Sequence, residues 1–130
     1  MGSTNSETNL GRLARVTSHA LVDVKTNRWN PFSKLSAVLL DVTLMGFKIE
    51  FIENVSLAKN SELSFLIPLA PFEIREHATL KLRGHVKWFD PESMRAGGVF
   101  VAPQAREEQI LNQIIAFLRS KERTKLAAGS

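Results

Sequence analysis

Strict alternation of apolar and polar residues over 80–88 is the feature that most limits how this chain can fold. Leu80, Leu82, Val86 and Trp88 alternate with lysine, arginine and histidine, as in a strand with one buried and one solvated face. Other segments of the chain show the same kind of strand pattern, some of them over fewer residues. They predict five further strands, at about 15–26, 35–43, 46–53, 63–67 and 98–101.

Short connections join these strands, and none of the connections has helical spacing. This organisation predicts an antiparallel sheet that closes into a barrel, because closure leaves no unpaired edge strand. After residue 104 the period changes, and Ile110, Ile114 and Phe117 predict a helix over about 105–122. Charges of both signs flank its apolar face, which favours packing on the barrel over binding to a membrane surface. The predicted fold is mostly β: a six-stranded antiparallel β-barrel with a C-terminal α-helix.

The length of 130 residues suits one domain. We predict a disordered polar tail at 1–10, a barrel domain with its helix at 11–122 and a flexible tail at 123–130. The chain has no cysteine, no apolar run long enough for a membrane span and no signal-peptide pattern at its start. These features predict a cytoplasmic protein without a membrane span. The net charge of +4 favours anionic partners.

The residues that carry common catalytic chemistry do not form a recognisable set. His19, His77 and His85 lie far apart in sequence and lack metal-ligand spacing. The chain has neither a GxSxG motif nor a glycine-rich phosphate loop. We therefore predict a protein that is not an enzyme, with no catalytic residues, no metal site and no cofactor.

An acid, a hydroxyl and a glycine stand close together at the end of the second predicted strand. Asp41 and Thr43 are two residues apart, so a strand would present both side chains on one face, where they could contact the edge of a planar base. Alternatively, the two side chains hydrogen-bond a tight turn. Gly46 would allow a positive φ in that turn or a close approach of a ligand to the backbone.

A basic segment precedes the first predicted strand and carries Arg12 and Arg15. Arginine binds phosphate with two parallel hydrogen bonds and stacks on planar bases. A basic arm that leads into a barrel could therefore close over a nucleotide on the barrel face.

The order of these features resembles the bacterial PilZ domain over about residues 11–120. That family has an RxxxR arm before its first strand, a DxSxxG motif about thirty residues later, two late strands and a terminal helix. Four segments correspond to this pattern: RV at 15–16, DVTLMG at 41–46, GHVKW at 84–88 and GVFV at 98–101. Gly11 stands where the family has its first arginine, Arg12 follows one place later, and threonine replaces the serine of DxSxxG.

The resemblance implies a receptor for cyclic di-GMP that regulates motility, pilus or polysaccharide machinery. It implies five ligand-binding residues: Arg12, Arg15, Asp41, Thr43 and Gly46. Some members of the family lack the arginines and act through protein contacts, so the alternative is an adaptor that does not bind cyclic di-GMP but binds a bacterial protein partner.

Two surfaces could bind such a partner: the WNPF loop at 29–32, whose tryptophan could instead fill the barrel, and the basic face of the fifth strand with Lys81, Arg83 and Lys87. A nucleic-acid-binding barrel is not expected. Its basic residues would be interleaved with aromatic ones, and only 8% of this chain is aromatic.

Overall fold

A computed structural model describes residues 16–26 and 34–129 of the chain, with side chains to residue 122. The predicted tail at 1–10 and the loop at 29–32 lie outside this part. The described elements are β1 Val16–Lys25, β2 Lys34–Val42, β3 Gly46–Phe51, β4 Glu62–Pro68, a 3₁₀ turn Ala70–Phe72, β5 Thr79–Asp90, β6 Arg95–Phe100 and the helix α1 Ala105–Gly129.

The strands form a closed barrel in the order β1-β2-β3-β6-β5-β4, and every neighbouring pair is antiparallel. The short pairing of β1 with β4, from Asp23 opposite Leu66 to Lys25 opposite Ser64, closes it. Apolar side chains alternate into the interior from every strand, so burial of one face of each strand holds the sheet in its curled form. The predicted fold class, a six-stranded antiparallel barrel with a C-terminal helix, is confirmed.

Three phenylalanine rings fill the barrel between β3, β4 and β6. The ring centroids of Phe47 and Phe65 lie 4.7 Å apart, and Phe100 lies 5.5 Å and 6.0 Å from them. Gly84 on β5 provides the space for this cluster. A Cβ atom at Gly84 would lie 2.7 Å from ring atoms of both Phe47 and Phe65.

The helix α1 packs its apolar face on the barrel, burying Ile110, Leu111, Ile114 and Ile115. The predicted helix end at about 122 is wrong, because the helix continues to Gly129. Residues 123–128 contain no proline or glycine and include several good helix formers, so nothing in this segment stops the helix earlier. Within residues 16–26 and 34–129, no helix combines the length and the apolar content that a membrane span requires.

Glu122 of α1 connects the helix to the beginning of β1 through hydrogen bonds. Its carboxylate accepts hydrogen bonds from the Thr17 hydroxyl at 2.7 Å and from the Thr17 amide at 3.1 Å. These two bonds lower the pKa of Glu122 below its ordinary value of 4.5. A lowered pKa means that the carboxylate stabilises the fold above this ordinary value, and that the contribution is lost as the pH falls through the folded-state pKa.

We expect Gly84→Ala to lower the free energy of unfolding by about 1–3 kcal/mol, because the added methyl overpacks the phenylalanine cluster. Urea denaturation measures this change. Lys81→Ala, at an exposed position of the same strand, is the control and should stay within about 0.5 kcal/mol of wild type. Equal stability of the two variants would contradict this account of the core.

We expect Thr17→Val to raise the pKa of Glu122 towards its ordinary value, because the shortest hydrogen bond to the carboxylate is removed. NMR titration of the Glu122 side chain measures this shift. The stability difference between wild type and Thr17→Val should also be larger at neutral pH than in acid, where Glu122 is protonated in both proteins. A difference independent of pH would show that this carboxylate does not hold the helix to β1.

Candidate functional site

A groove of about 330 Å³ opens on the outer face of the barrel where the end of β2 meets β3, β6 and β5. We call it the glycine groove. It is lined by Asp41, Val42, Thr43, Met45, Gly46, Phe47, Lys48, Lys87, Trp88, Gly98 and Val99. Asp41, Thr43 and Gly46, three of the five residues predicted to bind a ligand, thus lie together around one concave surface.

Three glycines, Gly46, Gly97 and Gly98, allow close contacts around the groove. At two of them one backbone approaches another, and at the third the Trp88 indole approaches the backbone. A Cβ atom at Gly46 would overlap the carbonyl oxygen of Gly98, and one at Gly98 would overlap the carbonyl oxygen of His85. A Cβ atom at Gly97 would overlap the indole of Trp88. No described glycine has a positive φ, so the first of the two alternatives for Gly46, a turn with positive φ, is wrong. The close approach at Gly46 is to the backbone of β6.

Trp88 faces outward because β5 contains a bulge. Val86 pairs with Gly98 and Trp88 pairs with Gly97. Between these two pairs β5 therefore contains one extra residue, Lys87, that has no partner in β6. Simple alternation would turn Trp88 inward with Val86, but the bulge places both Lys87 and Trp88 on the outside. The indole lies over Gly97 and remains 43% exposed. The sequence pattern missed this residue because alternation assigned it to the apolar face.

The hairpin between β5 and β6 is held by Asp90. One oxygen of its carboxylate accepts a hydrogen bond from the Ser93 hydroxyl at 2.8 Å, and the other accepts one from the Glu92 amide at 3.0 Å. These bonds, led by that from Ser93, lower the pKa of Asp90. The hairpin therefore has a defined turn just beyond the bulge that presents Trp88.

Thr43 closes the turn between β2 and β3. β2 ends at Val42, and the Thr43 hydroxyl oxygen accepts hydrogen bonds from the amides of Met45 at 3.0 Å and Gly46 at 2.9 Å. The Thr43 amide donates to the Gly46 carbonyl oxygen at 2.9 Å. The hydroxyl thus has the turn-forming role that the sequence left open for it. Both lone pairs of its oxygen are engaged, and its O–H proton is the group available to a ligand.

Asp41 lies half-buried on the outer side of β2. Its cross-strand neighbours are Thr17 on β1 and Lys48 on β3. Arg12 and Arg15 lie outside the described residues. Arg15 is two residues before Thr17, and two residues span at most about 7 Å of extended chain. In the sequence the arginine segment therefore ends just before Thr17, the cross-strand neighbour of Asp41.

Lysines give the groove a positive balance. Lys48 and Lys87 line it together with Asp41, so the formal charge of the described lining side chains is +1. Neither lysine forms an ion pair with another described residue. In the part of the chain that the structure describes, no group of three histidine or acidic residues is placed to hold a metal ion. The arrangement combines an aromatic ring, an acceptor, a hydroxyl donor and cations, which suits a planar, anionic ligand.

Comparison with solved structures finds barrels of the same architecture. The PilZ domain of YcgR from Escherichia coli with c-di-GMP matches with a TM-score of 0.69, at 15% identity, over 89% of this chain and 96% of that chain. The PilZ domain of CeSA from a cellulose-synthesizing bacterium matches with a TM-score of 0.56, at 14% identity, over 83% of this chain and 97% of that chain. The chain has the fold of a PilZ domain.

A longer protein is also similar in structure to this chain. The Bacillus subtilis inhibitor of motility MotI/DgrA matches with a TM-score of 0.54, at 19% identity, over 89% of this chain. The chain spans about half of that protein, since the match covers 52% of it. No protein-family model matches the chain, and the search of curated proteins finds no match.

We expect Thr43→Val to lower the free energy of unfolding by about 0.5–1.5 kcal/mol, because two turn amides lose their acceptor. Thr43→Ser keeps the oxygen and is the matched control, with stability close to wild type. Chemical denaturation of both variants measures the difference. If valine and serine were equivalent at this position, the hydroxyl would not be holding the turn.

Proposed function

We propose that the chain is a PilZ-type signalling module that binds cyclic di-GMP in the glycine groove and regulates a motility, pilus or polysaccharide machine in the bacterial cytoplasm. It would act as a receptor and not as an enzyme. The observation that carries the proposal is the convergence of Asp41, Thr43 and Trp88 on one groove of a barrel with the PilZ fold. A PilZ domain with this architecture is known with c-di-GMP, in YcgR.

Asp41 supplies the chemistry that would select guanine. A carboxylate only accepts hydrogen bonds, and guanine offers adjacent donors at its ring N–H and its exocyclic amino group. Adenine lacks the ring donor, so a carboxylate pairs with it less well. The Thr43 O–H proton complements this acceptor, because it can donate to a base or phosphate oxygen. The groove is therefore proposed to prefer guanine dinucleotides over adenine dinucleotides.

Trp88 offers a flat apolar surface for a base. Stacking of a base on an aromatic side chain contributes roughly 1–3 kcal/mol. The indole is supported from below by the backbone at Gly97, so its position does not depend on the ligand. A preformed platform reduces the entropy lost on binding.

Arg12 and Arg15 are proposed to complete the site. In this proposal the segment before β1 closes over the ligand and its guanidinium groups bind the phosphates. The change would alter the surface that the module presents to its partner, as in other switches that order a segment on binding. The bacterial protein partner would then recognise the closed form.

A second function, a protein-binding adaptor that does not use cyclic di-GMP, is supported by the apolar rim of the groove. Met45 is 60% exposed and Val99 is 37% exposed, beside the exposed indole of Trp88. Neighbouring exposed apolar side chains of this kind are typical of contact surfaces. The two functions differ in whether cyclic di-GMP binds, so one titration separates them.

We expect isothermal titration calorimetry to show binding of cyclic di-GMP to the wild-type chain and much weaker binding of cyclic di-AMP. Asp41→Ala should weaken cyclic di-GMP binding about ten- to a hundredfold, the effect of losing a hydrogen bond to a charged group. Asp23→Ala, an acid on the outer side of β1 away from the groove, is the control and should bind like wild type. Absence of heat with wild-type protein would favour the adaptor.

A further inference from the structure

Two lysines, Lys48 and Lys87, stand on opposite sides of the glycine groove. Lys48 is half-buried on β3 and has Gly97 of β6 as its cross-strand neighbour. Lys87 is exposed in the bulge of β5, next to Trp88 in the chain. Because β6 lies between β3 and β5, the two lysine backbones are separated by two strand spacings, about 10 Å.

We infer that Lys48 and Lys87 form a phosphate-binding pair on the barrel itself, independent of the arginine segment. The inference rests on the proposed function and assigns the contacts of the same ligand. The strands that carry the lysines, β3 and β5, flank β6, where the Trp88 indole rests on Gly97. A cyclic dinucleotide stacked on that indole would hold its phosphates towards the groove walls, where the lysines are.

The charge of the groove supports this assignment. Cyclic di-GMP carries two negative charges, one on each of its phosphates. Phosphate charge that enters a partly buried groove is unfavourable without a nearby cation, and each lysine can supply one. Glu50, two residues after Lys48 in the chain, is paired with Arg95 at 2.8 Å. The formal charge of the groove lining stays positive with Asp41 opposite Lys48.

Both lysines are positioned by strands, so their contribution does not require closure of the segment before β1. A ligand could first be held through its phosphates on the open barrel. The arginines would then add to an existing complex. The lysines should therefore still matter in a variant that lacks both arginines.

The test is calorimetric titration of cyclic di-GMP into wild type, Lys48→Gln, Lys87→Gln and the double variant, at low and at high salt. We expect about threefold weaker binding for each single variant and about tenfold for the double variant, the range for partly exposed charge pairs. Added salt should weaken binding to wild type more than binding to the double variant, because salt screens the removed charges. Lys81→Gln, an exposed lysine of β5 outside the groove, is the control.

The same substitutions in an Arg12→Ala/Arg15→Ala background should again weaken the remaining binding. If wild type binds cyclic di-GMP but the lysine variants match the Lys81→Gln control, the lysine pair is overturned and the proposed function stands. If wild type does not bind, the proposed function fails and this inference fails with it. Melting curves that match wild type will show that a weakened variant is folded.

Discussion

The close approach of β3, β6 and β5 is the steric constraint on which the outer face of this barrel depends. At Gly46 and Gly98, a side chain would overlap a neighbouring carbonyl oxygen, and at Gly97 it would overlap an indole ring. Inside the barrel, Gly84 plays the same part towards Phe47 and Phe65. The groove forms because glycines at these positions leave space that side chains would otherwise fill.

One irregularity turns this packing feature into a candidate binding site. The bulge in β5 reverses the direction of Trp88 and lays its indole on the open backbone at Gly97. Bulges commonly redirect side chains beside functional sites. The end of β2 places Asp41, and the turn after it places Thr43, at the other side of the groove. A planar ligand would meet an aromatic ring on one side and polar groups on the other.

The sequence was sufficient for the fold because its signals are local. Alternation places all six strands to within a few residues, and the change to helical spacing marks the start of α1 at Ala105. The helix end was missed because good helix formers continue to Ala128 without a stop signal. The DVTLMG segment also placed Asp41, Thr43 and Gly46 together, because these residues are close in the chain.

The rest of the site could not be predicted, because it depends on contacts between distant segments. Lys48 and Trp88 share one groove only since β6 pairs with both β3 and β5. A bulge leaves no mark on an alternating pattern, so Trp88 was assigned to the wrong face. The roles of Gly97 and Gly98 also depend on which atoms lie opposite them in the barrel. Such information is in the register of the strands and not in their composition.

The most direct test of this account is an NMR titration of the isotopically labelled chain with cyclic di-GMP. The account predicts that the Trp88 indole N–H and the amides of Gly97 and Thr43 shift with the ligand, while the amides of Ser64 and Lys81, outside the groove, do not. Saturating ligand that leaves the Trp88 and Gly97 signals unchanged, or shifts only the Ser64 region, would contradict it.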